Sequence, residues 1–237
     1  MSGASTAARL SVVVPVLDEA AGIAATLGRL APLRAAGHEV VVVDGGSRDA
    51  TAALAAPLAD RVFAAPRGRA SQMNAGAAVA TGEVLLFLHA DTRLPHRADR
   101  LVLDGLAAGG RAWGRFDVRI EGAHPLLRLV GWLMNRRSRW TGIATGDQAM
   151  FVRRDAFDAA GGFPPLALME DVALSARLKR ISPPLCIAER AITSGRRWAS
   201  QGVVRTILLM WWLRLRYFLG ASPERLARSY RRPASVE

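Results

Sequence analysis

The 237-residue chain contains a single cysteine, Cys186. One thiol excludes an intrachain disulfide, a cysteine-rich zinc site and an iron–sulfur cluster, and it suits a reduced, cytosolic compartment. Long apolar runs are also missing. The first, Leu10–Leu17, stops at Asp18-Glu19 after eight residues, too short for a signal-peptide core with its cleavage site. The segment Val203–Leu219 is apolar but interrupted by Arg205, Arg214 and Arg216. Its longest uncharged stretch, Thr206–Leu213, falls far below the roughly 18 residues needed to span a bilayer. No Gly-x-Gly-x-x-Gly follows the first strand-like run, which disfavours a dinucleotide-binding Rossmann unit. The chain shows no internal repeat and no low-complexity linker.

Hydrophobic residues make up 51% of the chain and charged residues 22%, enough apolar mass for a core and a length that suits one large domain. Basic residues exceed acidic ones by 12, and lysine contributes only Lys179. The excess is C-terminal: from Arg196 onward nine arginines face two acidic residues. Such a segment suits phosphates, whether on a nucleotide, a nucleic acid or an anionic lipid. It carries no recognisable nucleic-acid motif.

The N-terminal half alternates short β-branched runs with alanine-rich stretches. Strands are expected at Ser11–Leu17, Glu39–Val43, Arg61–Ala65 and Glu83–Leu88. Helices are expected at Ala20–Leu33, Asp49–Ala59, Ala70–Ala80 and Arg97–Ala108. Near-continuous apolar strands between helices predict a mostly parallel sheet covered on both faces. The later half is less regular, with strands expected at Arg111–Ile120, Gln148–Val152 and Pro183–Ala188. Helices are expected there at Pro125–Trp140, Glu170–Arg180 and Ser200–Leu219. In an open α/β sheet ligands bind at the carboxyl edge of the strands, so polar residues at strand ends are the first site candidates.

Three places qualify. Asp44 ends the second strand and opens Asp44-Gly45-Gly46-Ser47; Ser47 and Asp49 there suit a helix start, which leaves Asp44 to meet a ribose hydroxyl or a base imide. His89-Ala90-Asp91 ends the fourth strand. Asp91 is a turn residue or, paired with Asp44, a ligand for Mg²⁺ or Mn²⁺ shared with substrate phosphates. His89 is a further ligand, a phosphate donor or a cap. Glu170-Asp171 opens a helix, either to complement its dipole or to supply a general base.

Together these segments resemble family 2 glycosyltransferases of the GT-A fold. Val12–Glu19 (VVVPVLDE), with Pro15, Asp18 and Glu19, is similar to the family's first strand, with Asp18 where asparagine is common. Val41–Thr51 (VVVDGGSRDAT) resembles its nucleoside-contacting segment, and Gly68–Gly76 (GRASQMNAG), with Asn74, the segment before the metal strand. Phe87–Thr92 (FLHADT) stands where the family has a DxD motif, and Met169–Leu174 (MEDVAL) where it has its acidic base. Because His89 replaces the first aspartate, Asp91 is the single carboxylate left for the metal. The match spans roughly residues 10–180, and its details resemble a short bacterial subgroup linked to arsenosugar biosynthesis. Ser194–Trp198 (SGRRW) is similar to an arginine–tryptophan motif near the acceptor, without its usual glutamine.

The resemblance implies an α/β GT-A domain over 1–195, with a nucleotide-sugar half at 10–92 and an acceptor half at 93–195. Residues 196–237 are expected to form a basic amphipathic helical extension. It implies an inverting enzyme that moves a sugar, a UDP-sugar by preference, with Asp171 as base and Glu170 second. Pro15, Asp18, Glu19, Asp44, Gly46, Ser47, Arg67, Arg69, Asn74, His89, Ala90 and Asp91 would meet the donor and its Mn²⁺ or Mg²⁺. Gly146, Asp147, Gln148, Arg197 and Trp198 would line the acceptor side. The alternatives are a nucleotidyltransferase of similar fold, against which no glycine-rich, lysine-bearing signature lies near the first strand, and a non-enzymatic basic module on membrane or nucleic acid.

In the last long helix Ile207, Leu208, Met210, Trp211, Leu215 and Phe218 form an apolar stripe. The stripe is expected to pack on the domain; the other reading lays it in the interface of an anionic membrane. The expected setting is therefore cytoplasmic, with peripheral membrane contact and a homodimer both left open.

Overall fold

The computed structural model describes residues 8–231. One eight-stranded sheet runs through it in the order β3-β2-β1-β4-β7-β6-β8-β5. The strands are β1 (Leu10–Val16), β2 (Glu39–Asp44), β3 (Arg61–Ala64), β4 (Val84–Phe87), β5 (Thr92–Arg93), β6 (Trp113–Ile120), β7 (Phe151–Arg153) and β8 (Leu185–Thr193). The first four are mutually parallel. β7 runs antiparallel to β4 and β6, β8 is parallel to β6, and the short β5 is antiparallel to β8. The architecture is the expected α/β sheet, with mixed pairing confined to the second half.

The helices are α1 (Ile23–Gly28), α2 (Ala31–Ala35), α3 (Thr51–Ala55), α4 (Arg69–Val79), α5 (Ala98–Ala108), α6 (Leu126–Thr141), α7 (Arg154–Ala159), α8 (Glu170–Leu178), α9 (Arg196–Gln201), α10 (Val203–Phe218) and α11 (Pro223–Arg231). Side chains alternate across each strand, so β1 feeds two cores. Val12, Val14 and Val16 join Ile23 and Leu27 of α1 and Val102 of α5 on one face. Val13 joins Met73 and Ala77 of α4 and Leu174 of α8 on the other. Burial of every β1 position but Pro15 explains why the strand reads as a continuous apolar run.

Several boundaries differ from expectation for identifiable reasons. Proline at the start of α2 and within Ala56–Leu58 splits two expected helices into short pieces. Gly202, at φ +82°, separates α9 from α10. The strand expected at Gln148 begins only at Phe151, because Gly146–Gln148 forms a 3₁₀ turn. Neither α11 nor the two-residue β5 has a sequence pattern that marks it.

The largest correction concerns α10. Its buried side is Val203, Thr206 and Leu213. Leu213 joins Met169 and Val172 at the start of α8 and Leu226 of α11, while Val203 joins Ile120 and Leu127 of β6 and α6. Leu208, Trp211, Leu215 and Phe218, expected to pack on the domain, point outward and are 59% or more exposed. The apolar residues on this helix outnumber what one face can bury, so hydropathy alone does not say which half turns inward.

Leu213→Ala should therefore cost about 2–5 kcal/mol of stability, whereas Trp211→Ala should stay within about 0.5 kcal/mol. Urea denaturation of the two variants measures this; equal losses would mean that the outer face is buried too.

Candidate active site

The carboxyl ends of β1, β2, β4 and β8 lie on one edge of the sheet, where the antiparallel β7 and the helix α8 begin. Asp18 follows β1 in the left-handed region at φ +53°, a conformation aspartate tolerates better than most residues. Its N–H donates to Ser47 Oγ at 2.9 Å, and its Oδ1 accepts the N–H of Arg48 at 2.8 Å. Asp44 accepts the N–H groups of Gly46 and Ser47, at 3.2 and 3.0 Å, and the Ser47 hydroxyl. Ser47 is thus no helix cap. It ties the β1 loop to the β2 loop, and Asp44 has a local structural role that its sequence position did not reveal.

Gln72 of α4 braces the same two strands, its Nε2 donating to the carbonyls of Val16 and Val43 at 2.8 Å each. Gly76, one turn on, allows the close approach: a Cβ there would sit 2.4 Å from Val13 Cγ1. Asn74, expected to face the donor, exchanges a pair of hydrogen bonds with the backbone of Phe163 at 2.8 and 2.9 Å. Pro15 lies inside β1, paired with Val43. Ala90 is buried, and its carbonyl accepts the Thr26 hydroxyl. Asn74, Pro15 and Ala90 therefore shape the site without turning polar groups toward it.

The end of β4 is drawn toward α9. Ser194 N–H donates to the Asp91 carbonyl at 3.1 Å, bringing Arg196 beside the site. Its Nη2 lies 3.1 Å from Glu19 Oε2 and 4.0 Å from Asp91 Oδ2. Arg196 thereby bridges the β1 and β4 loops, a role the sequence reading missed. No group of three or more His, Cys, Asp or Glu side chains is placed to hold a metal ion among the described residues. The residues present still fit a divalent ion in one way: Asp91 is a partly open carboxylate at the carboxyl edge of the sheet, and Mg²⁺ is usually held by one or two carboxylates plus substrate phosphates.

His89 turns away from Asp91. Its Nδ1 lies 3.4 Å from Asp147 Oδ1, and its ring packs against Gly146 so tightly that a Cβ there would lie 2.4 Å from the imidazole. The next contact reaches α8: Gly146 N–H donates to Asp171 Oδ2 at 2.8 Å. The turn at 146–148 is held by Gln148, which is fully buried and accepts the Thr145 N–H at 3.2 Å. Gln148 is consequently a scaffold residue, not an acceptor contact. Met169 and Ala149, at φ +68° and +46°, flank α8 and this turn; each such backbone costs on the order of 1–3 kcal/mol and persists only where its surroundings enforce it.

The electrostatics separate the acids. Burial, then the neighbouring Asp171 carboxylate, pushes Glu170 above the usual glutamate range, with Arg69 only partly offsetting them. Desolvation pushes Asp147 upward, but the hydrogen bond and charge of His89, with Arg69 and Arg197, hold it below the ordinary aspartate value. Arg69 loses some basicity to desolvation and gains more from Tyr230, Glu170, Asp147 and Asp171. Its side chain, expected to meet the nucleotide, is exposed at the start of α4. Arg67 is exposed on the preceding loop.

Two further guanidinium groups close this side. Arg197 stacks on Tyr230 of α11, 3.8 Å from the ring centroid. Arg137 of α6 has its basicity lowered by burial and by Arg115, against the pull of Asp171. Buried nitrogens of both (Nε and Nη2 of Arg137, Nη1 of Arg197) lack a hydrogen-bond partner among the described residues. Orphan donors of this kind are costly unless a ligand or water satisfies them. Trp198 packs into the apolar cluster of Ile120 and Leu127 and anchors the segment.

Three comparisons with known proteins bear on this edge. The model of the family described as Glycosyl transferase family 2 matches residues 11–161. The PGL/p-HBAD biosynthesis glycosyltransferase of Mycobacterium tuberculosis is 40% identical over 98 residues, 38% of this chain and 38% of that one. The chain thus spans well under half the length of this relative. The mannosyltransferase PcManGT from Pyrobaculum calidifontis, in complex with GDP-Man and Mn²⁺, superposes with a TM-score of 0.58 at 21% identity over 79% of this chain and 57% of that one. A fragment of S. aureus TarS in complex with UDP gives 0.64 at 17% identity over 78% and 60%. The structural likenesses establish the fold, GT-A.

Glu170 supplies a test of the local electrostatics. Its folded-state pKa is raised, so it favours folding below the ordinary glutamate value, and that contribution is lost as pH rises through the folded value. Glu170→Gln should therefore gain stability relative to the native protein between about pH 4 and about pH 8, measured by urea denaturation at both. A constant difference would contradict the raised value.

Proposed function

Because this chain belongs to glycosyl transferase family 2, we propose that its cleft transfers a sugar from a nucleoside diphosphate sugar to an acceptor hydroxyl, with inversion and with Asp171 as general base. The observation that carries this reading is the continuous path from the end of β4 to the start of α8: His89 to Asp147, His89 against Gly146, Gly146 to Asp171. It joins a donor edge and an acidic acceptor edge in one rigid unit, as a group transfer between two substrates requires. A UDP-sugar is the preferred donor, the TarS fragment being a complex with UDP.

Asp44, Asp18 and Ser47 form the pocket for the nucleoside. Asp91 would hold Mn²⁺ or Mg²⁺ together with the diphosphate, and the ion would supply neutralisation of the charge leaving with the nucleoside diphosphate. The free N–H donors of Arg137 and Arg197 would meet anionic oxygens of donor or acceptor. Asp171 takes the proton of the acceptor hydroxyl as its oxygen bonds to the anomeric carbon. The bond from that carbon to the diphosphate breaks on the opposite face, its electron pair leaving with the phosphate. Asp171 is preferred over Glu170 because Glu170 is buried and keeps its proton to higher pH.

Asp171→Asn should lower transfer by about 10²–10⁴-fold while UDP binding, read by calorimetry, stays as in the native protein. Full activity in this variant together with its loss in Glu170→Gln would move the base by one residue. Asp91→Ala should abolish the gain in UDP affinity that Mn²⁺ brings to the native protein. Native affinity that is equal with and without Mn²⁺ would remove the metal from the reading.

A further inference from the structure

Away from the cleft, α6 and α10 carry an apolar surface with no partner among the described residues. The helices pack on each other through Val130 and Met134 of one and Val203 and Ile207 of the other, which sets their outer faces side by side. On α6 the outer face shows Trp132 and Trp140, 54% and 76% exposed; on α10 it shows Leu208, Trp211, Leu215 and Phe218. Four of the six tryptophans of the chain stand on this surface, Trp212 included. A soluble face with this much large apolar area marks an interaction site.

The charge on the same two helices identifies the occupant. Their sequences hold seven arginines and no acidic residue. Arg136 lies 5.4 and 5.0 Å from the ring centroids of Trp132 and Trp140, and Arg216 lies 5.8 Å from that of Trp212. Beside the apolar face, between α6 and β6, a groove of about 600 Å³ is rimmed by Arg119, Arg128, Arg136 and Arg190. None of these four has an ion-pair partner among the described residues, because the acid in the groove, Asp117, is taken by Arg115 and Arg139. A second copy docked face to face would set the exposed Arg128, Arg136, Arg205 and Arg216 against the same four again. An anionic lipid surface satisfies both parts, with acyl chains against the tryptophans and phosphates on the guanidinium groups.

We infer that the joined outer face of α6 and α10 seats on an anionic membrane surface, with the arginine groove taking phospholipid headgroups. The inner face of α10 packs on the first turn of α8, so the seated molecule holds its acceptor side close to the headgroup plane. Lipid binding does not depend on which reaction the cleft carries.

The test is sedimentation of the full chain with vesicles of phosphatidylcholine, alone or mixed with phosphatidylglycerol, at low and high salt. The expected result is binding to the mixed vesicles that weakens with salt. It should fall by at least about tenfold in Arg128→Glu with Arg136→Glu, and again in Trp211→Ser with Phe218→Ser. Since these side chains are exposed, thermal melts of the variants should match the native protein. Brominated phosphatidylglycerol should also quench the native tryptophan fluorescence, which reads the contact without any substitution. No binding at low salt, equal binding to both vesicle types, or binding that neither pair of substitutions lowers would each overturn the inference. So would a dimer in sedimentation velocity that Trp211→Ser with Phe218→Ser takes apart.

Discussion

The site rests on the close approach of Gly146 to the imidazole of His89. Only a residue without a side chain lets the turn at 146–148 lie flat on His89, since any Cβ would enter the ring. That contact directs the Gly146 N–H at Asp171 and leaves His89 Nδ1 facing Asp147. The end of a central strand and the first turn of a helix more than 80 residues later are thereby held in one register. The fully buried Gln148 and the left-handed Ala149 enforce the turn from below.

The remaining parts bring each edge to this junction. At the ends of β1 and β2 Ser47 locks Asp18 and Asp44 into one double loop, and Gln72 fixes the strand ends beneath it. From α9 Arg196 reaches back to Glu19 and toward Asp91, so the C-terminal helices close over the ends of β1 and β4. Arg115, wholly buried, donates to Ser138 and pairs with Asp117, which secures α6 on β6. Arg137, on the same helix, keeps its unpartnered N–H groups in the field of the Asp171 carboxylate. A buried guanidinium that lacks one partner is an unfavourable arrangement in an empty cleft and a favourable one around an anion.

The parallel half of the sheet was legible because its strands are buried on both faces and end in polar turns; Asp18, Asp44, Asp91 and Asp171 all fall at the predicted edge. Roles that depend on long-range partners were not legible. Asn74 looks like a ligand residue, yet both polar atoms of its amide are used on Phe163, 89 positions away. Arg69 lies in the segment before the metal strand, yet its basicity is raised by Glu170, Asp147 and Asp171 from two distant segments. Tyr230 carries no motif, and Arg196 lies in Ser194–Trp198 without a role of its own read from that motif; both enter the site through the path of the C-terminal helices. The outer stripe of α10 was visible as apolar, but its direction depends on where α8 and α11 dock.

Transfer in this cleft turns on whether the Gly146–His89 contact couples donor to base. Steady-state release of nucleoside diphosphate from a UDP-sugar by Gly146→Ala tests this most directly. The added methyl group should displace the turn and lower kcat by about 10²-fold, the scale expected for a misplacement near 1 Å, with little change in donor KM because the Asp18–Ser47–Asp44 loop is untouched. Native turnover in Gly146→Ala, with a folded protein and unchanged donor binding, would contradict the account.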